Sequence, residues 1–310
     1  MTTPIIVVGM HRSGTSMVTE LLGRLGLFIG WDAAVYSESR FFLRRNEAIL
    51  AAHGGRWDHP DPVDRLLGNR VLRRETSDGL RRDVDSLAVL SYLGPGRFAR
   101  HRSLLGLPFP WGWKDPRTTV LLPLWLDVFP GARVIHVVRD GVDVAMSLSK
   151  REAMRRNAAR SPAAPARRVK SFFRVSERPA GSSAIAWQWA KLENYFNTRA
   201  AHRQGAARED AVIDPAVGFN LWESYVTRAA EATAGLGDAL LELRYEDILT
   251  DPEAHAVRLA AHCGVPIAPS QTATLAAIVR RPDPGRPREV LELRERASSS
   301  EWMRKWGYSG

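Results

Sequence analysis

Residues 9–16, Gly-Met-His-Arg-Ser-Gly-Thr-Ser, hold the densest set of groups in this chain that could bind an anion. Gly9 and Gly14 bracket a four-residue loop. Ile5 to Val8, just before it, is an unbroken β-branched run, as expected of a parallel strand buried on both faces. Thr15, Ser16 and the residues after them read as the start of an amphipathic helix. A glycine-bracketed turn from strand into helix offers an anion backbone N–H groups and the positive end of a helix dipole. The glycine spacing matches G-x-x-x-x-G-K-[ST]. Thr15, however, stands where the lysine should be, and a nucleoside triphosphatase needs that lysine on the β- and γ-phosphates. The cation lies inside the loop instead, at Arg12. A glycine turn with no ligand is the alternative reading.

A second anion-binding group follows another apolar run, residues 132–138, which ends on Arg139. Ser147 comes eight residues later, inside the helix expected to open near Asp143. In an open α/β sheet, ligands gather at the carboxyl ends of the strands. A guanidinium there and a hydroxyl in the next helix can converge on one phosphate. A salt bridge from Arg139 to Asp140 or Asp143 is the competing reading. A third segment, Leu243-Arg244-Tyr245-Glu246-Asp247-Ile248-Leu249 with Asp251-Pro252, ends a third expected strand, residues 240–245.

Taken together, these three segments resemble the sulfotransferases that use 3′-phosphoadenosine 5′-phosphosulfate (PAPS), in that family's order and over most of the chain. The resemblance implies that Arg12, Ser13, Gly14, Thr15 and Ser16 hold the 5′-phosphosulfate. It also implies that Arg139 and Ser147 hold the 3′-phosphate, and it adds Tyr245 to the cofactor-binding set. Trp113-Lys114-Asp115-Pro116-Arg117 is similar to a segment of bacterial and tyrosylprotein members whose lysine faces the sulfonate. Lys114 is therefore a catalytic candidate, with an ion pair to Asp115 as its structural alternative. Glu38 resembles the glutamate that starts the second long helix in bacterial members, eight residues before an asparagine, here Asn46. It is the favoured general base. His11 is its rival, and packing beside the cofactor or lying hydrogen-bonded under the loop are His11's structural alternatives. Glu47 reads as a solvated helix residue.

The expected reaction is in-line attack of a hydroxyl on sulfur, with PAP leaving. As in phosphoryl transfer, cations and positioning carry most of the catalysis, and Arg12 would neutralise the leaving 5′-phosphate. No metal is expected. The chain departs from the family pattern near its C-terminus, where Arg280, Arg281 and Arg286 only loosely match a segment that closes over the 3′-phosphate.

Strands alternating with helices predict an α/β fold of the P-loop-containing nucleotide-binding type, a parallel sheet with helices on both faces. Helices are expected over residues 37–50, 62–93, 118–129, 185–203, 222–233 and 253–263, with a loop over 95–110. One domain over residues 1–310 is expected, with a basic insertion at about 151–183 containing a short helix near Phe172-Phe173, and a charged tail at about 280–310. The insertion's basic character points to an acceptor that already carries negative charge.

The 310 residues are 45% hydrophobic and 25% charged, an ordinary globular balance. One cysteine, Cys263, excludes a disulfide framework and a cysteine zinc cluster. With no signal peptide or apolar span evident, a cytoplasmic location is expected. The net charge of +10 suits a polyanionic cosubstrate and allows contact with an anionic membrane surface. No nucleic-acid-binding signature accompanies it, so nucleic acid is not an expected partner. The expected function is transfer of sulfonate from PAPS to a hydroxyl of a carbohydrate, glycolipid or small-molecule natural product. The alternatives are a P-loop kinase and a non-catalytic nucleotide- or polyanion-binding module.

Overall fold

A computed structural model describes residues 2–31, 38–160, 214–277, 279 and 291–308. The elements run β1 (Ile5–Val8), α1 (Thr15–Arg24), α2 (Arg40–Ala52), α3 (Asp64–Gly68), α4 (Arg70–Val84), α5 (Leu90–His101), β2 (Gly112–Lys114), α6 (Pro116–Val128), β3 (Arg133–Val138) and α7 (Gly141–Arg160). They continue with α8 (Pro215–Thr233), β4 (Leu240–Arg244), α9 (Tyr245–Thr250), α10 (Pro252–Cys263), α11 (Pro269–Ala276), α12 (Leu291–Ser299) and α13 (Glu301–Lys305).

The strands form one parallel sheet in the order β2-β1-β3-β4. The chain moves from β1 to β2 on one side and then crosses to β3 on the other. The crevice at this reversal lies above the carboxyl end of β1, where ligands collect in open α/β sheets.

Both faces of the sheet are apolar because alternate residues of each strand point to opposite sides. Ile6, Val8, Val134 and Val138 pack with α2, α6, α7 and α8. Ile5, Val7, Ile135 and Val137 pack with α1 and α10. The α/β architecture read from the sequence is therefore the observed one.

Aromatic side chains join α2 to β2. Phe42 stacks on Trp113 with ring centroids 3.9 Å apart and planes within 1°. Trp125 of α6 meets both rings edge-on. Such pairs add about 0.5–1.5 kcal/mol beyond their burial. Asn46 is fully buried one turn along α2 from Phe42. Its amide donates to Asp115 Oδ2 (2.8 Å) and Thr118 Oγ1 (2.9 Å), and its oxygen accepts from the Trp125 indole N–H (2.8 Å). These contacts fix the start of α2 over the end of β2.

Several elements differ from their expected bounds. Helix α2 begins at Arg40, because Ser39 is extended, so Glu38 precedes the helix and does not start it. The expected loop at 95–110 is helical as far as His101. Gly94 breaks the helical geometry, with φ 71°, and Pro95 sits directly after that break, where its missing N–H is tolerated. Helix α7 continues through the first ten residues of the expected insertion. Its apolar periodicity stops near Leu148, while the Glu152–Arg155 pair at i,i+3 supports the polar turns beyond. Tyr245 is the first residue of α9, not the last of the strand. In the charged tail, Leu293 and Met303 are buried in the larger core. Residues 161–183 of the insertion, the helix expected over 185–203, and Arg280, Arg281 and Arg286 lie outside the described residues. Among the described residues, no helix is long and apolar enough to cross a membrane.

Candidate active site

The loop between β1 and α1 is held from below and from one side. Gly9 N–H donates to Thr119 Oγ1 (2.9 Å), and that hydroxyl donates to the Gly9 carbonyl (3.2 Å). Ser13 is buried, and both its hydroxyl and its N–H donate to the Met10 carbonyl, at 2.7 and 3.2 Å. Arg12 has φ 74°, an uncommon conformation for a residue with a Cβ. It costs on the order of 1–2 kcal/mol, and the glycines around it make the bend possible. Gly14 has φ 94° and lies so close to the Tyr245 ring that a Cβ there would come within 2.2 Å of Cδ2. Tyr245 thus closes one side of the loop. The N–H groups of Met17 and Val18 donate to the Gly14 carbonyl, while those of Thr15 and Ser16 have no acceptor further back in the helix, and the N-cap, Gly14, has no side chain to serve them.

The loop and the end of β3 meet directly. Arg12 Nε donates to Ser147 Oγ (2.9 Å) and Arg139 Nη1 donates to the Arg12 carbonyl (3.3 Å). The buried Arg139 guanidinium lies 4.7 Å from the Tyr245 ring centroid. The salt bridge foreseen as an alternative forms as well, since Arg139 Nη2 donates to Asp143 Oδ2 at 2.6 Å. Arg139 Nε is enclosed without a hydrogen-bond partner. An enclosed donor beside a cation suits a phosphate oxygen, so these residues fit the anionic ends of an adenosine bisphosphate.

On the other side of β1, Lys114 leaves the end of β2 and is 1% exposed. Its ammonium donates to Ser16 Oγ (3.2 Å) and to Glu38 Oε1 (3.0 Å). The expected alternative, a Lys114–Asp115 pair, is not formed. Asp115 instead caps α6 by accepting from the Arg117 N–H (3.1 Å), and it pairs with the Arg117 guanidinium (3.0 Å). Arg117 also pairs with Glu47 at 2.9 Å, so Glu47 is engaged and not simply solvated. Burial works against the Arg117 charge, but Asp115, Glu47 and Glu38 outweigh it and hold its pKa above the ordinary value.

His11 is not among Lys114's hydrogen-bond partners. Its ring meets Trp57 edge-on at 4.7 Å, and Tyr225 lies 6.5 Å away. Its Nε2 is enclosed and has no hydrogen-bond partner. Burial, with Arg117, Arg151, Lys114 and Arg155 adding to it, pushes the imidazole well below its usual pKa and keeps it neutral. The Tyr225 hydroxyl donates to the Trp57 carbonyl (2.7 Å), and Arg151 lies over the Trp57 ring at 5.1 Å.

The structure brings together the sequence-derived candidates in two groups joined at the loop: Arg12, Arg139, Ser147 and Tyr245, then Ser16, Lys114 and Glu38. Sequence reasoning missed Thr119 and Trp57, whose neighbours are distant in the chain, and, although it placed Arg151 in a basic segment facing the acceptor, it did not foresee the contact with Trp57. It also missed the role of Asp115, although a helix-capping aspartate before a proline is a readable signal.

No curated protein matches the chain. Among the solved structures similar to it are two sulfotransferases. Sulfotransferase STF1 from Mycobacterium tuberculosis H37Rv is 15% identical with a TM-score of 0.43, covering 89% of this chain and 71% of its own. Sulfotransferase STF9 from Mycobacterium avium is also 15% identical, with a TM-score of 0.42 and coverage of 89% and 67%. The Sulfotransferase family model matches residues 4–169, which is more than half of the 310 residues and spans the loop, Lys114, Arg139 and Ser147; the chain belongs to the sulfotransferase family.

Proposed function

We propose that the protein transfers a sulfonate group from PAPS to a hydroxyl of a carbohydrate, glycolipid or small-molecule natural product and releases PAP. The observation that carries this reading is Lys114. It is a buried cation that touches both the anion-binding loop, through Ser16, and a carboxylate able to act as base, Glu38.

PAPS, when bound, supplies a sulfonate whose bond to the 5′-phosphate oxygen breaks as the acceptor oxygen attacks sulfur. The loop residues 12–16 and Arg139, Ser147 and Tyr245 hold its anionic groups. Arg12 stabilises the negative charge that develops on the departing phosphate side. Lys114 stabilises charge on the sulfonate oxygens, and donors preorganised in this way are worth roughly 10²–10³ in rate. In the unliganded pair Lys114 holds Glu38. A sulfonate beside Lys114 competes for that ammonium and frees the Glu38 carboxylate to take the hydroxyl proton. Neutral His11 is the second candidate for that proton. No step requires a metal ion.

The decisive experiment is thermal unfolding with PAP, compared with ATP or GTP plus magnesium. At a hundredfold excess over its Kd a ligand adds about 2.7 kcal/mol, a rise of several degrees. The expected result is a rise with PAP that is lost in Arg139→Ala. A rise with magnesium-ATP and none with PAP would assign the loop to a kinase. PAP binding without PAPS turnover on any hydroxyl acceptor would leave a nucleotide-binding module.

A further inference from the structure

Ser147, Arg151 and Arg155 stand one helical turn apart on α7, so they share one face of that helix. The face starts at the donor site, where Ser147 accepts from Arg12, and runs outward for about 12 Å. Arg151 and Arg155 have no part in the donor contacts. Arg151 Nε donates to Glu152 Oε1 at 2.9 Å, and Arg155 Nη1 donates to the same oxygen at 3.1 Å. Two guanidiniums therefore already converge on one acidic oxygen, and among the described residues that single carboxylate balances only one of their charges.

The Arg151 side chain is only 24% exposed and lies over the Trp57 ring. The edge-on neighbour of that ring is His11, whose enclosed Nε2 lacks a partner. Burial, then the charge of Arg155 and further on that of Arg12, lower the Arg151 pKa. An anion placed there would relieve this repulsion.

We propose that Arg151 and Arg155, together with the Trp57–His11 wall, form an acceptor subsite for an oxyanion, so that the acceptor is a hydroxyl compound already bearing a phosphate, carboxylate or sulfate. The assignment rests on the PAPS reading above. Its hydroxyl would face Glu38 and Lys114, while its acid would lie along α7. A charged fork of this kind discriminates between an acid and its neutral counterpart, because the neutral compound leaves the guanidiniums without their partner.

The test uses the full chain saturated with PAP, so that the donor phosphates are already bound. Glucose 6-phosphate and glucuronate are titrated against glucose by calorimetry, and the same compounds are offered with PAPS for turnover. Both acids are expected to bind at least about tenfold more tightly than glucose. Arg151→Gln/Arg155→Gln should remove that preference with PAP affinity unchanged. Arg155→Gln alone, at an exposed position, should weaken it in part and serves if the double variant does not fold. Phosphatidylglycerol in detergent micelles separates a lipid-borne acid from a soluble one, and preferential binding of either supports the subsite. PAP binding with no preference for acids, or with a preference that survives both substitutions, overturns the subsite alone. Failure of the wild-type protein to bind PAP overturns the donor reading and the subsite with it.

Discussion

Arg12 and Arg139 lie just beyond the ends of two hydrogen-bonded parallel strands, with Ser147 in the second turn of the helix that follows, while Glu38, Trp57 and Arg151 come from a helix approach, a loop and a later turn of that same helix. The first group is positioned by backbone. Strand register brings Val8 beside His136, and the loop and Arg139 follow within a few residues. The second group is positioned by side-chain packing between elements far apart in sequence: Phe42 on Trp113, Asn46 on Asp115, and Tyr225 on the Trp57 carbonyl. On the proposed reading the first holds the donor and the second receives the acceptor. A site divided in this way can change acceptor by changing loops and helix faces without disturbing the strand ends that hold the donor.

The sharpest way to break this division is Glu38→Gln. Turnover should fall about 10²–10⁴-fold, the usual scale for a lost general base, while PAP affinity, measured by calorimetry, is retained. Near-normal turnover would pass the role of base to His11, and His11→Asn would then carry the loss. Asn46→Ala tests whether packing positions the acceptor side. It strips partners from the Trp125 indole N–H, Asp115 and Thr118. Thr118 keeps Trp113 and Asp115 keeps Arg117, so the indole N–H is the group left unsatisfied; at about 1–3 kcal/mol for such a group, urea unfolding should show a loss of about that size, with turnover reduced more than PAP affinity. An unchanged urea midpoint would show that the ring stack alone docks α2.

Gly14→Ala probes the backbone-defined side. Its φ of 94° and the 2.2 Å approach of a Cβ to Tyr245 leave no room for a methyl group. The variant should lose more than about 1 kcal/mol of stability and bind PAP more weakly, both readable in one thermal-shift series. The smallest expected effect is on pH dependence. His11 and His262 are both held below their ordinary pKa by burial first and by neighbouring cations second, His262 at about 4. The unfolded chain therefore takes up protons that the folded chain refuses. The stability these histidines contribute is complete above about pH 6.5. It is lost as pH falls towards the folded values, for His262 between about 6.5 and 4. His262→Asn should flatten the fall in urea midpoint across that window, and an unaltered slope would remove His262 as its source.

The strand-ending motifs were legible because their chemistry is local. Gly9 and Gly14 state the loop, the β-branched runs state the strands, and Arg139 with Ser147 eight residues on places a guanidinium and a hydroxyl within two helical turns of one strand end. The outer turns of α7 were not legible, since residues 151–160 carry almost no apolar periodicity and the helix there is sustained by packing of its earlier turns and by charge pairs. Helical residues 95–101 were hidden by Pro95, because only the break at Gly94 makes a proline acceptable there. The partner of Lys114 could not be read either. Sequence offered the adjacent Asp115, whereas the strand points successive side chains to opposite sides and leaves Asp115 to cap α6.

By itself the sequence determined the parallel α/β sheet, the glycine-bracketed loop without a triphosphatase lysine, and the identity of the cations around it, since each follows from residue type and short-range spacing. Tertiary structure alone decided which carboxylate meets Lys114, that His11 is enclosed and neutral, and that Arg151 lies over Trp57. Those contacts join residues 46, 76 and 94 positions apart, and only the burial of two apolar sheet faces brings such distant segments to one crevice.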